Sequence, residues 1–216
     1  MSSAPLGKSV RYQSTNTYET LNTLTNETKN VWIVFHGIGY LSKYFLKYFD
    51  ELNPTENYII APQAPSKYYL GSEYKHVGAS WLTKENTETE IQNNLNYLNS
   101  ILAEEVIPAH CNVIVFGYSQ GVSMAARWVA RSKFDCQQLV LYAGGIPHEL
   151  NASDFQHLGN STRITIIIGN QDKYLTDEVL ANEREKSKAV FKGRAKELIF
   201  DGGHIVKKEL LKSLIL

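Results

Sequence analysis

Six short runs constrain this chain more than any other feature: residues 31–35, 58–61, 113–116, 139–142, 164–168 and 198–200. Each is close to continuously apolar and rich in Val, Ile and aromatic residues. A strand with one face in water alternates apolar and polar residues. A strand covered on both faces does not. Helical patterns lie between the runs. Ile91, Leu95, Leu98 and Leu102 recur at helical spacing and predict a helix from Lys84 to Glu105, closed by Pro108. Val122, Ala126 and Val129 predict a second helix, and Thr176 to Lys192 a third with Gly193 as its stop. His204 to Leu216 carries Leu210, Leu211 and Leu214 and predicts a last one.

Strand and helix alternating at this spacing predict an α/β fold, with a mostly parallel sheet and helices on both faces. A chain of 216 residues suits one domain, 1–216. Val10–Gln13 and Tyr18–Leu21 flank a turn-like Ser-Thr-Asn-Thr and predict an antiparallel hairpin at the sheet edge. Residues 62–81 hold Tyr68, Tyr69, Tyr74 and Trp81 and show no period, as binding loops and lids often do not.

Lys and Arg total 22, as do Asp and Glu, so no charge excess favours nucleic acid or an anionic membrane as partner. Residues 1–10 lack the apolar segment of a secretory signal, and no run is long enough for a membrane span. The expectation is a cytoplasmic protein acting on a small molecule, as a monomer or a homodimer. Cys111 and Cys136 read as free structural thiols, and neither stands at metal-ligand spacing. No metal or cofactor is expected.

The chemistry centres on Gly117-Tyr118-Ser119-Gln120-Gly121. It follows one apolar run and opens an amphipathic helix, the strand–turn–helix setting of a nucleophile elbow. A serine hydroxyl needs a base to take its proton. Of the histidines after Ser119, His204 falls between the last strand and the last helix, at the sheet edge where Ser119 also lies. His148 precedes the acid and reads as a rim residue. His157 reads as solvated. Asp172 ends the turn leaving the 164–168 run and reads as the acid, whereas Asp201 reads as a local turn residue. The backbone N–H groups of Ile38 and Gln120 are the candidate oxyanion donors. His36 reads as a strand-end histidine that braces its loop. Tyr68, Tyr69 and Trp81 are candidates for an acyl-pocket wall, or equally edge-packing aromatics.

His36-Gly37, Ala61-Pro62-Gln63-Ala64-Pro65, Ser80-Trp81, the Gly117–Gly121 pentapeptide, Gly169-x-x-Asp172 and Gly203-His204 occur in one order. From about Val31 onward the chain thereby resembles the phospholipase/carboxylesterase family, which includes the acyl-protein thioesterases. The resemblance implies an α/β-hydrolase fold and cofactor-free cleavage of carboxylic esters or thioesters. It also implies the roles given above for Ser119, Asp172, His204, Ile38 and Gln120. Two departures bear on substrate. Val122 stands where better-known thioesterase members carry a glycine, and the Tyr-rich segment after Pro62 differs. The rival readings are a peptidase or lipase with the same triad, and an inactive binding protein on the same fold.

Overall fold

The computed structural model describes residues 6–215. Residues 1–5 of the expected signal-free terminus, and Leu216 at the end of the expected last helix, lie outside them. The central sheet has seven strands: β1 (Tyr18–Leu21), β2 (Asn30–Phe35), β3 (Asn57–Pro62), β6 (Asn112–Tyr118), β7 (Gln138–Tyr142), β8 (Arg163–Gly169) and β9 (Lys196–Phe200). Their order is β1-β3-β2-β6-β7-β8-β9, with every pair parallel except β1 against β3. β4 (Ser66–Leu70) and β5 (His76–Ser80) form a separate antiparallel hairpin.

The continuous apolar runs are explained by two cores. Val31, Ile33, Phe35, Val115, Leu139 and Leu141 face α2 (Thr87–Glu104), α3 (Gln120–Ser132) and α4 (Asp177–Phe191). The alternate residues Trp32, Val34, Ile114, Phe116, Val140 and Tyr142 face α1 (Ser42–Phe45) and α5 (Lys208–Ser213). Both sides of the central strands β2, β6 and β7 are therefore buried against helices, while the edge strands β1 and β9 stay largely exposed.

Three expectations are corrected. The antiparallel edge strand exists, but its partner is β3; residues 10–13 form no strand, and Val10 and Tyr12 stand in solvent. Residues 66–80 are not irregular. They form a hairpin whose β4 is exposed throughout, so no buried face imposed a period on the sequence. α2 starts at Thr87, because Thr83 Oγ1 accepts from Glu85 N at 3.2 Å and Asn86 is left-handed at φ 49°. α4 matches expectation. The Thr176 side chain caps Val179 N at 3.3 Å, and the helix ends through left-handed Lys192 and Gly193.

Candidate active site

Ser119 sits between β6 and α3 with φ 54° and ψ −121°, a conformation that costs a non-glycine residue about 1–3 kcal/mol. It does not cap its helix: its side chain makes no cap hydrogen bond. The backbone is held instead from both sides. Ser119 N donates to Tyr142 O at 2.9 Å, and Val122 N donates to Ser119 O at 3.0 Å. The glycines of the pentapeptide are required by crowding. A Cβ on Gly117 would lie 2.6 Å from Gly121 O, and one on Gly121 would lie 2.6 Å from the carbonyl carbon of Phe35.

Two loops at the same sheet edge bring the other side chains in. His204 Nε2 lies 2.8 Å from Ser119 Oγ, and His204 Nδ1 lies 2.6 Å from Asp172 Oδ2. A carboxylate only accepts, so Nδ1 carries the proton and Nε2 is left to accept from the serine hydroxyl. The Asp172 side chain is fully buried, and Oδ1 accepts from Tyr174 N at 3.0 Å. Tyr118 Oη donates to His204 O at 2.8 Å, and burial raises the pKa of that phenol, keeping it a donor. The Tyr174 ring meets the imidazole edge-on at 4.9 Å. The two loops lie so close that a Cβ on Gly169 would collide with Gly202 O and Gly203 O. Asp201 accepts from Gln171 Nε2 at 2.8 Å and so joins the two loops as a turn residue.

The β2–α1 loop approaches the serine from the other side. A Cβ on Gly37 would lie 3.2 Å from Ser119 Cβ, which puts Ile38 next to the elbow. Among the described residues, neither Ile38 N nor Gln120 N donates to a protein acceptor. The loop is tied at Gly39, whose N–H donates to Ala79 O at 2.8 Å. His36 braces it from below. Nδ1–H donates to Gly37 O at 2.8 Å, and Nε2 accepts from Ala64 N at 3.1 Å. Burial pushes the pKa of His36 down to about 4, despite the opposing effect of the Gly37 carbonyl, so this ring stays neutral near pH 7.

The aromatic candidates divide. Trp81 is fully buried, with Nε1 donating to His36 O at 2.8 Å and its ring 5.4 Å from Phe35. It supports the loop from behind and presents no wall to a substrate. The Tyr68 hydroxyl lies 3.8 Å from where a Gly39 Cβ would be, so Tyr68 borders the site. Tyr69 points to the opposite side of the hairpin and packs on Tyr74 at 5.2 Å. His148 is solvent-exposed. His157 is partly buried, contrary to expectation: Nε2 pairs with Phe134 O at 3.2 Å, and Nδ1 has no partner among the described residues. Both thiols are buried, and burial pushes that of Cys136 up to about 12. Among the described residues no three His, Cys, Asp or Glu side chains converge as a metal site requires.

The side chain of Gln120 has a role that the sequence did not announce. Oε1 accepts from Trp81 N at 2.9 Å, while Nε2 donates to Leu82 O at 2.8 Å and Ser80 Oγ at 2.9 Å. It therefore fastens the elbow to the segment leaving β5. A glutamine, whose amide both donates and accepts, inside a turn motif was the available sign.

A parallel sheet with helices on both faces, and a serine elbow at its C-terminal edge, make this an α/β-hydrolase fold. The sequence model of the phospholipase/carboxylesterase family matches residues 16–215, and the chain belongs to that family. Solved structures agree on the fold. Zea mays acyl-protein thioesterase 2 is similar at 15% identity and TM-score 0.65, covering 92% of this chain and 96% of that one. A phospholipase/carboxylesterase from Dyadobacter fermentans is similar at 17% identity and TM-score 0.63, covering 94% and 98%. Esterase PE8 is similar at 18% identity and TM-score 0.65, covering 93% and 99%. No curated protein matches the sequence. No described helix is long and apolar enough to cross a membrane.

Proposed function

We propose that this chain is a serine hydrolase that cleaves small carboxylic esters or thioesters through an acyl-enzyme. The observation that carries the reading is the Ser119–His204–Asp172 relay, at 2.8 and 2.6 Å, on a strained elbow. Ser119 Oγ attacks the carbonyl carbon as His204 Nε2 takes its proton. The carbonyl electrons move onto oxygen, and the unpaired N–H groups of Ile38 and Gln120 stabilise that charge. Asp172 holds the imidazole tautomer and stabilises the imidazolium. His204 returns the proton to the leaving alcohol or thiol, leaving an acyl-serine. Water then attacks, with His204 as base, and releases the acid and free Ser119.

The test is hydrolysis of p-nitrophenyl esters from acetate to decanoate, with fluorophosphonate labelling alongside. Wild type cleaves and labels at Ser119, and Ser119→Ala lowers kcat by roughly 10⁴–10⁶-fold and abolishes labelling. A folded wild type that neither cleaves nor labels would overturn the reading in favour of a binding protein.

A further inference from the structure

The last residues of β6 and β7 are both tyrosines. Tyr118 and Tyr142 stand in register across the two parallel strands, so their side chains leave the sheet side by side, on the face covered by α1 and α5. Both are buried, and their rings lie 5.9 Å apart. Packing there asks for nothing more than phenylalanine. Phe116 fills the same layer against Tyr142 at 5.7 Å, and Phe45 stacks on Tyr118 at 6.0 Å. A buried phenol needs a hydrogen-bond partner. Both of these find one in the same short segment.

That segment, residues 204–207, leads from Gly203 into α5 and has no regular structure. Tyr118 Oη donates to His204 O at 2.8 Å, and Lys207 N donates to Tyr142 Oη at 3.1 Å. Beside the local bonds from Ile205 N to Gly203 O and from Leu210 N to Lys207 O, these are the only hydrogen bonds that hold the backbone of 204–207 among the described residues. The same two tyrosines hold Ser119. Tyr118 precedes it in the chain, and Tyr142 O accepts from Ser119 N at 2.9 Å. Each tyrosine therefore joins the backbone of Ser119 to the backbone that carries His204, by a route that does not pass through Asp172.

We propose that the hydroxyls of Tyr118 and Tyr142 are positioning groups that set His204 against Ser119; the assignment rests on the hydrolase reading above. Neither touches a reacting atom, and both act through the loop. Asp172 fixes which ring nitrogen carries the proton, and the tyrosines fix where the ring stands. Burial raises the pKa of both phenols, that of Tyr142 to about 12, so both stay neutral where His204 works as a base.

The experiment uses Tyr118→Phe, Tyr142→Phe and the double variant, which remove the hydroxyls and keep the rings. On each are measured kcat and KM for p-nitrophenyl butyrate, the rate of fluorophosphonate labelling, and the low-field proton resonance of His204 Nδ1–H. A 1 Å misplacement costs about 10²-fold in rate. Each single variant is expected to lose about tenfold in kcat and the double variant about 10²-fold, with KM little changed and labelling slowed in step. The Nδ1–H resonance, sharp in wild type, broadens in the variants as the proton exchanges with water. That signature follows the placement of the ring and does not move if the phenols contribute stability alone. The single variants carry the test if the double variant does not fold. Folded variants that keep the wild-type kcat, or lose it with the resonance unchanged, overturn the assignment while the hydrolase reading stands. A wild type that neither cleaves nor labels overturns the hydrolase reading and the assignment with it.

Discussion

α3 and α4 cover the same face of the same sheet and are seated differently. α3 is buried along its length: Gly121, Val122, Met124, Ala125, Ala126, Trp128, Val129 and Ala130 all face inward. α4 buries only Ser187, Val190 and Phe191, at its C-terminal end, and leaves a cavity under its first turns. Ser119 is thus joined to a tightly seated helix, and Asp172 precedes a loosely seated one. Asp172 is nonetheless held, because its place is set before α4 begins. Gly169 lies against Gly202 and Gly203, Asn170 Oδ1 accepts from Gly202 N at 3.0 Å, and Tyr174 N reaches the carboxylate. A site of this kind needs its reacting groups rigid, but not every helix that follows one of them.

Two substitutions test that division at full strength. Asp172→Asn is expected to lower kcat about 10⁴-fold, because the amide presents a donor where the imidazole needs an acceptor. The melting temperature should move little by comparison, since the neighbouring loop contacts remain. A kcat loss under tenfold would mean that another group orients His204. Gly121→Ala is expected to cost about 4 kcal/mol or prevent folding, because the new methyl meets the backbone of Phe35 and His36, which cannot swing away. The measurement is the urea midpoint. A loss under 1 kcal/mol would show that α3 can shift off the sheet, and the contrast with α4 would weaken.

What the sequence disclosed follows the same division. The central strands β2, β6 and β7 lie in two-sided burial, where nearly every residue must be apolar, so their runs are visible without a structure. The meeting of Ser119, Asp172 and His204 was legible because each stands in a glycine turn after an apolar strand run, and strand order places those turns at one edge. The β4–β5 hairpin was not legible, because a strand exposed on both faces carries no period. Residues 10–13 have strand-like composition but no partner, and β1 finds its own on β3. The opposed roles of Trp81 and Tyr68 depend on how β5 meets the loop at Gly39, a long-range contact with no local signature. The cavity under α4 is a volume left unfilled, which no residue pattern records.

The loop on the α3 side carries a built-in pH dependence. His36 has a folded pKa of about 4, against 6.5 when unperturbed, because burial disfavours the charged ring. Between those values the unfolded chain binds the proton and the folded one does not. The stability associated with neutral His36 is therefore fully present above pH 6.5 and is lost as pH falls through 4, by about 3 kcal/mol in all. Urea midpoints from pH 7 to pH 4 measure it. His36→Asn, which keeps a donor for Gly37 O, should flatten that slope. An equal slope in the variant would assign the acid sensitivity to other groups.

The smallest effect lies on the α4 side and sharpens the comparison most. Glu183→Ala removes the acceptor of Ile146 N and so releases one of the two bonds that hold α4 at that residue. Glu183 is partly exposed, so water replaces much of what is lost and the global cost should be near 1 kcal/mol. The informative readout is local. Amide exchange should quicken in residues 177–186 and stay slow in α3, because opening the first turns of α4 uncovers a space that is already empty. If α3 amides lost protection to the same degree, the two helices would open as one unit. The loose seat of α4 would then be a property of the whole face, and no separation between a firmly held Ser119 and a loosely roofed cavity would remain.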